Sequence, residues 1–178
     1  MAVLSVLALA ACSSPPLPPP EGDYYVYGSA EELVSASDLI VHGIVVHTQV
    51  QQTEAPATSP ATSPARVTGP RTVVTIVRLT VIDVFKGAVA VGDEIEISQV
   101  GGRYRGVDYV DPGTTLLEIG QPGGYVLLLR RGPDDVHYLP NPQQAMFTVS
   151  GEGDLTGTSP YAPAIATTAE LHTLAAAP

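Results

Sequence analysis

The 178-residue sequence has one cysteine, no tryptophan and only 8 basic residues against 18 acidic ones. One cysteine cannot form an intramolecular disulfide, and with four scattered histidines it cannot build a cysteine-rich zinc cluster, which excludes disulfide-stapled mini-domains and zinc ribbons. The formal net charge of −10 argues against a nucleic-acid partner, because phosphate binding needs an excess of lysine and arginine. Apolar residues make up 44% of the chain, which is enough to bury the core of one domain.

A short apolar segment precedes the single cysteine. Residues 2–11 are apolar except for one serine, and they end in small side chains. This run is too short for a transmembrane helix, which needs about 20 apolar residues, but it suits the apolar region of a secretory signal. Leu9, Ala10, Ala11 and Cys12 resemble the lipobox of bacterial lipoproteins. The resemblance implies a diacylglyceryl group and often a further acyl chain, such as palmitate, on Cys12, with cleavage after Ala11.

The surroundings of Cys12 divide the chain into a signal, a tether and a domain. Residues 1–11 are the predicted signal peptide, whose basic n-region we expect to be missing because only Met1 precedes the apolar run. Residues 12–28 are the predicted lipidated tether, and five prolines within 15–20 favour an extended polyproline spacer. We therefore predict a protein anchored through Cys12 to the extracytoplasmic face of the cell membrane. The alternative is an alanine-rich amino terminus around a buried cysteine.

Residues 29–178 predict a single β domain with a short helix at its start and another at its end. Ser29 and Glu32 have the spacing of a capping box, which predicts a helix over 30–36. A similar pattern predicts a closing helix over 168–176.

Six segments between the two helices have the β-branched or alternating patterns of strands. They are residues 39–46, 72–85, 94–98, 125–131, 136–139 and 145–149. Residues 51–71 repeat the motif Ala-Thr-Ser-Pro and predict a flexible insertion at a hairpin tip, with candidate O-glycosylation sites. Because no helices alternate with the strands, we expect an all-β fold, a small antiparallel barrel of five to six strands.

Four phrases across the domain resemble OB-fold-like domains of exported bacterial proteins. They are SDLIVHGIVV (37–46), TVIDVFKG (80–87), VGDEIEISQVGG (91–102) and LLEIGQPGGYVLLL (116–129). Each phrase reads as one strand with its turn. The resemblance implies an OB-like β-barrel of a widespread, uncharacterised secreted group, and it transfers no catalytic residue.

The strongest candidate for a binding loop follows the third predicted strand. Arg103, Tyr104, Arg105 and Tyr109 combine planar donors with amphipathic rings, and such side chains dominate binding hot spots. In OB-like domains, the loops and the outer strand face bind extended ligands. The alternative is an ordinary solvated loop whose tyrosines pack over the end of the barrel.

No catalytic constellation, phosphate loop or cofactor motif appears in the sequence. His42 and His137 could share a metal only if their strands were neighbours, and we predict no metal site. The function predicted is a non-enzymatic binding or adaptor module for a protein, peptide or glycan of the cell envelope, with no cofactor. The alternatives are an extracytoplasmic hydrolase using acids such as Asp108 and Asp111, and a barrel similar to protease inhibitors.

Overall fold

A computed structural model describes residues 24–54, 71–111, 113–132 and 135–177. Within these ranges the chain forms nine strands and two short helices. In chain order they are α1 (Ala30–Ala36), β1 (Leu39–Glu54), β2 (Arg71–Lys86), β3 (Glu94–Val100), β4 (Arg103–Tyr104), β5 (Val107–Asp108), β6 (Tyr125–Arg131), β7 (His137–Tyr138), β8 (Met146–Ser150), β9 (Asp154–Gly157) and α2 (Thr168–Ala175).

Seven of these strands form one mixed sheet, and five of the seven close into a ring. The ring runs β1–β2–β3–β7–β6, and β6 pairs back onto β1. The pairing of β3 with β7 is parallel, with Ile97 beside His137, whereas the other ladders between the described strands are antiparallel. Strand β8 continues the sheet from the edge of β6, and β9 pairs with β8. Strands β4 and β5 form a separate hairpin.

The prediction of a mostly β domain with two short helices is confirmed, and three details are corrected. The sheet is mixed rather than antiparallel, because β7 enters beside β3 in the same direction. It has seven strands rather than five or six, because β9 is a strand although its sequence has no β-branched run. The predicted insertion 51–71 is shorter, because residues 51–54 belong to β1 and Arg71 begins β2. Residues 55–70 lie outside the described residues.

The hydrophobic core fills the inside of the ring. In β3, Ile95 and Ile97 are buried while Glu94 and Glu96 are exposed, as their alternation predicts. Strand β6 is buried over its first five residues, and its backbone pairs with β1 on one edge and with β7 and β8 on the other. Fully burying a leucine or isoleucine side chain contributes about 1.5–3 kcal/mol, so these positions carry much of the folding free energy.

Gly43 lies at a bulge in β1, at the end of the segment that pairs with both β2 and β6. The register between β1 and β2 shifts between His42 and Gly43, which is the bulge that the glycine predicts. A Cβ atom at this position would collide with the Leu79 side chain and lie 2.6 Å from the Thr80 carbonyl oxygen. Only glycine fits this close approach of two strands.

Two buried amide side chains attach the segment before α1 to the domain. The Gln144 side chain accepts a hydrogen bond from the Tyr27 N–H at 2.9 Å and donates one to the Tyr27 carbonyl at 3.0 Å. The Asn141 amide donates to the Tyr25 carbonyl at 3.0 Å. Tyr27 itself is buried, so the chain is fixed to the domain before α1 begins.

Helix α1 is capped at both ends by side chains. Ser29 Oγ accepts a hydrogen bond from the Glu32 N–H, which satisfies a free donor of the first turn. At the other end, the Lys86 ammonium donates to the carbonyls of Val34 at 2.8 Å and Ser35 at 3.3 Å. A cation at a helix C-terminus also complements the helix dipole.

Candidate functional site

An open groove crosses the outer face of the ring, on the side away from the core. The registers place Gln51 beside Val74, Ile76 beside Ser98, and Ser98 beside Tyr138. Residues of paired strands that lie side by side share a face, so these side chains line one surface across β1, β2, β3 and β7. The groove has a volume of ≈ 470 Å³.

The groove has an apolar floor and an uncharged polar rim. Val74 is only 7% exposed although it points away from the core, and Ile76 is half-buried beside it. Gln51 and Ser98 supply an amide and a hydroxyl, and the Tyr138 ring is 37% exposed. Among the described residues that line this groove there is no aspartate, glutamate, lysine or arginine. Such a surface suits an uncharged ligand with apolar faces and hydrogen-bonding groups.

Gly132 and Val136, which lie between β6 and β7, line one side of the groove. The Gly132 N–H donates a hydrogen bond to the Val136 carbonyl at 2.8 Å. Next to it, His137 Nδ1 is buried and is the one buried side-chain polar atom without a hydrogen-bond partner in the described part of the chain.

A second, smaller cavity continues the groove beyond Tyr138. Its volume is ≈ 210 Å³, and Ser98 and Tyr138 line both cavities. Tyr24 lies on its far side, where burial and then the negative charge of Asp111 raise the pKa of its phenol. The rings of Tyr24 and Tyr138 can therefore contact a ligand in the smaller cavity, and Tyr138 lies between the two cavities.

The predicted binding loop is an exposed β-hairpin, formed by β4 and β5. Its two-residue turn has Arg105 at φ 51° and Gly106 at φ 82°, as in a type I′ turn. Arg103 Nε lies 3.9 Å from Asp108 Oδ1 across the hairpin, with both side chains largely exposed. An exposed ion pair of this kind contributes little to stability because water and salt screen it.

The aromatic residues of this loop occupy different places. The Arg105 guanidinium lies 5.2 Å from the centre of the Tyr104 ring, so both groups are at the exposed tip. Tyr109 is half-buried at the base, where its backbone exchanges two hydrogen bonds with Gly102. The structure brings Arg103, Tyr104 and Arg105 together on one hairpin, and their role in binding stays a prediction.

The described residues offer no metal centre at the histidines considered from sequence. No group of three or more histidine, cysteine, aspartate or glutamate side chains within these residues could hold an ion. His42 Nε2 lies 2.6 Å from the Gly123 carbonyl oxygen. Strand β6 separates β1 from β7, so His42 and His137 are not on neighbouring strands. Of the two acids considered for catalysis, Asp108 faces Arg103 and Asp111 lies near Tyr24.

The predicted lipobox, Leu9 to Cys12, lies outside the described residues. Among the residues that are described, no helix is long and apolar enough to cross a membrane.

The groove was missed by sequence reasoning although the sequence carries a signal for it. From Val73 to Val77 the side chains on both faces of β2 are apolar or uncharged, whereas a strand with one solvated face alternates apolar and polar residues. Val74 and Ile76 are the outward members of that run. The other lining residues come from distant segments, and their meeting depends on the parallel pairing of β3 with β7.

Comparison of the chain with protein-family models and with curated proteins finds no match.

Proposed function

We propose that this chain is a lipid-anchored, extracytoplasmic binding module that holds an extended, uncharged peptide or glycan segment in the groove between Gln51 and Tyr138. The observation that carries the proposal is the groove itself, which is open, ≈ 470 Å³ in volume and without formal charge on the described residues that line it. Its floor is apolar and its rim presents an amide, hydroxyls and a tyrosine ring, which is the composition of a recognition surface.

The connectivity of the ring supports an OB-like barrel. Strands β1, β2 and β3 are sequential neighbours, and β6 and β7 then close the ring with β7 parallel to β3. OB-folds bind their ligands across the face of their second and third strands, between the first hairpin and the loop of the last two strands. The groove occupies the corresponding place, between the far end of β1–β2 and the β6–β7 connection.

The charge of the protein supports an uncharged ligand rather than a nucleic acid. The chain has a net charge of −10, and the groove residues within the described ranges include no lysine or arginine to contact phosphates. The lipobox pattern ending at Cys12 and the proline-rich residues 15–20 support display of this module on the outer side of a membrane.

The test measures binding of soluble envelope glycan fragments and extended synthetic peptides to the full chain and to two variants. We expect Tyr138→Ala to weaken binding by about tenfold or more, a loss of ~1.4 kcal/mol, because it removes the ring between the two cavities. Tyr161→Ala is the matched control, since this ring is 64% exposed and lies outside the groove. Binding that survives Tyr138→Ala unchanged would place the ligand elsewhere.

A further inference from the structure

Strand β1 loses one of its two neighbours partway along its length. It pairs with β2 from Ile40 to Glu54 but with β6 only from Leu39 to Gly43. The chain before β6 turns away at Gly123 and Gly124, both at φ 74°, where Gly124 packs against the Gly43 carbonyl. The hairpin β4–β5 pairs only with itself. Beyond Gly43, one edge of β1 therefore has no hydrogen-bonded partner strand among those described, although β4 lies near β1.

The hydrogen bonds of β2 show which backbone groups face this edge. The Gly101 N–H donates to the Val73 carbonyl, and the Val81 N–H donates to the Asp93 carbonyl, so odd-numbered residues of β2 face β3. Backbone direction alternates along a strand, so the even-numbered residues of β2 face β1. Their partners there are Gln49, opposite Ile76, and Gln51, opposite Val74.

The residues between those partners direct their backbones outward. Thr48, Val50 and Gln52 present N–H and C=O groups to the open edge of β1, at the two-residue spacing that a further strand requires.

The composition of this edge is unusual for an acidic protein. From Gly43 to Thr53 the chain has no proline, no acid, no lysine and no arginine, although the net charge of the whole is −10. Exposed edge strands are ordinarily blocked by charges, prolines or bulges, because an open edge is a template for pairing. The register shift between Val45 and His47 lies before Thr48, and the pairing of β1 with β2 is regular from His47 onward.

We propose that two copies of this chain associate through this edge, as an antiparallel ladder of β1 against β1 around a twofold axis. An antiparallel ladder of identical strands is self-complementary, as a twofold interface must be. The absence of charge between Gly43 and Thr53 lets two acidic molecules meet there without like charges opposite each other. Gln51 lines the groove on the outer face next to this edge, so the ladder places the two grooves side by side on one continuous sheet.

Amide hydrogen exchange of the full chain tests the ladder directly. We expect the amides of Thr48, Val50 and Gln52 to exchange at least about tenfold more slowly at high protein concentration than at low concentration, as a hydrogen bond across the interface requires. Gln49 and Gln51 are the internal reference, because they bond β2 at any concentration. If the three outward amides exchange at the same rate at both concentrations, the proposal is wrong.

Sedimentation of the same chain and of two variants gives the second readout. The native protein is expected at twice its 18.5 kDa mass, and Thr48→Lys combined with Gln52→Lys is expected at the single mass. Ser150→Lys combined with Thr156→Lys adds the same charge to exposed positions of β8 and β9 and is expected to leave the dimer intact. A monomeric native chain, or a dimer that the first pair of substitutions leaves unchanged, overturns the proposal. Should the edge variant fail to fold, the exchange of the native amides decides alone.

Discussion

Gln144 is the residue whose side chain does most to hold the entering segment. It is only 4% exposed, and its amide contacts both backbone groups of Tyr27 and the Tyr161 carbonyl at 3.2 Å. Gln144→Leu would keep the approximate volume but leave these buried groups unpaired. We expect a loss of about 2–4 kcal/mol in the free energy of unfolding, measured in urea, because each unpaired buried group costs about 1–3 kcal/mol.

Gln121→Leu is the control for this change. The Gln121 amide bonds only to the carbonyl of its neighbour Pro122, at 3.4 Å. Its replacement should therefore alter stability by no more than about 0.5 kcal/mol, as is usual at such positions. Equal losses in the two variants would show that the buried amide contacts at Gln144 do not stabilise the fold.

The start of helix α1 depends on one exposed carboxylate, that of Glu32. Glu32 Oε2 accepts the Gly28 N–H at 2.8 Å and Oε1 accepts the Tyr25 hydroxyl at 2.7 Å. These two hydrogen bonds hold the pKa of Glu32 below its usual value, and the bond from the Gly28 N–H has the larger effect. The same contact raises the pKa of Tyr25. The carboxylate thus joins the start of the helix to the segment that Gln144 fixes.

The lowered pKa of Glu32 predicts an acid dependence of stability. A carboxyl group whose pKa is lower in the folded state stabilises the fold above its unfolded pKa, and this contribution is lost as the pH falls through the folded value. We expect the native protein to be more stable than Glu32→Gln at about pH 7 and the difference to shrink as the pH falls below about 4.3, the usual pKa of a glutamate, as measured by urea unfolding across this range. Glu152→Gln, in the turn between β8 and β9, serves as control. A difference that is constant with pH would contradict this account.

Elements with a strong local pattern could be predicted from the sequence, and elements formed by distant pairing could not. The alternation of Ile95 and Ile97 and the β-branched run of β2 are local, and both strands form as predicted. The helix caps at Ser29 and Thr167 are local too. By contrast, β7 has only two paired residues, and its direction is fixed by β3 and β6 from far along the chain.

The groove depends on these distant pairings, which explains why the sequence predicts a binding loop at residues 103–109 and not the groove. A mixture of arginine and tyrosine at residues 103–109 is visible in the sequence, whereas Gln51, Ser98 and Tyr138 are ordinary residues until three ladders set them side by side. The sequence also predicts Gln51 as part of the insertion, because residues 51–54 are all polar, although they continue the ladder with β2.

The proposed lipid anchor depends on one residue, Cys12, so a substitution there is expected to change the location of the whole protein. Cys12→Ser removes the thiol that would receive the lipid, so we expect the variant to leave the membrane fraction and to lose labelling by radioactive palmitate. Ser14→Ala, two residues further on, should keep both properties. Unchanged membrane association of Cys12→Ser would refute the lipid anchor.

The Lys86 ammonium group that caps helix α1 affects the choice of reagent for crosslinking this protein to a partner. Lys86 is the single lysine of the sequence, and its amine is engaged with the Val34 and Ser35 carbonyls. Reagents that join proteins through lysine amines therefore have one target side chain here, and acylating it would remove the cap. Reagents that activate carboxyl groups can draw on 18 acidic residues instead. A crosslinking search for the proposed ligand or partner is best made through the acids of this protein.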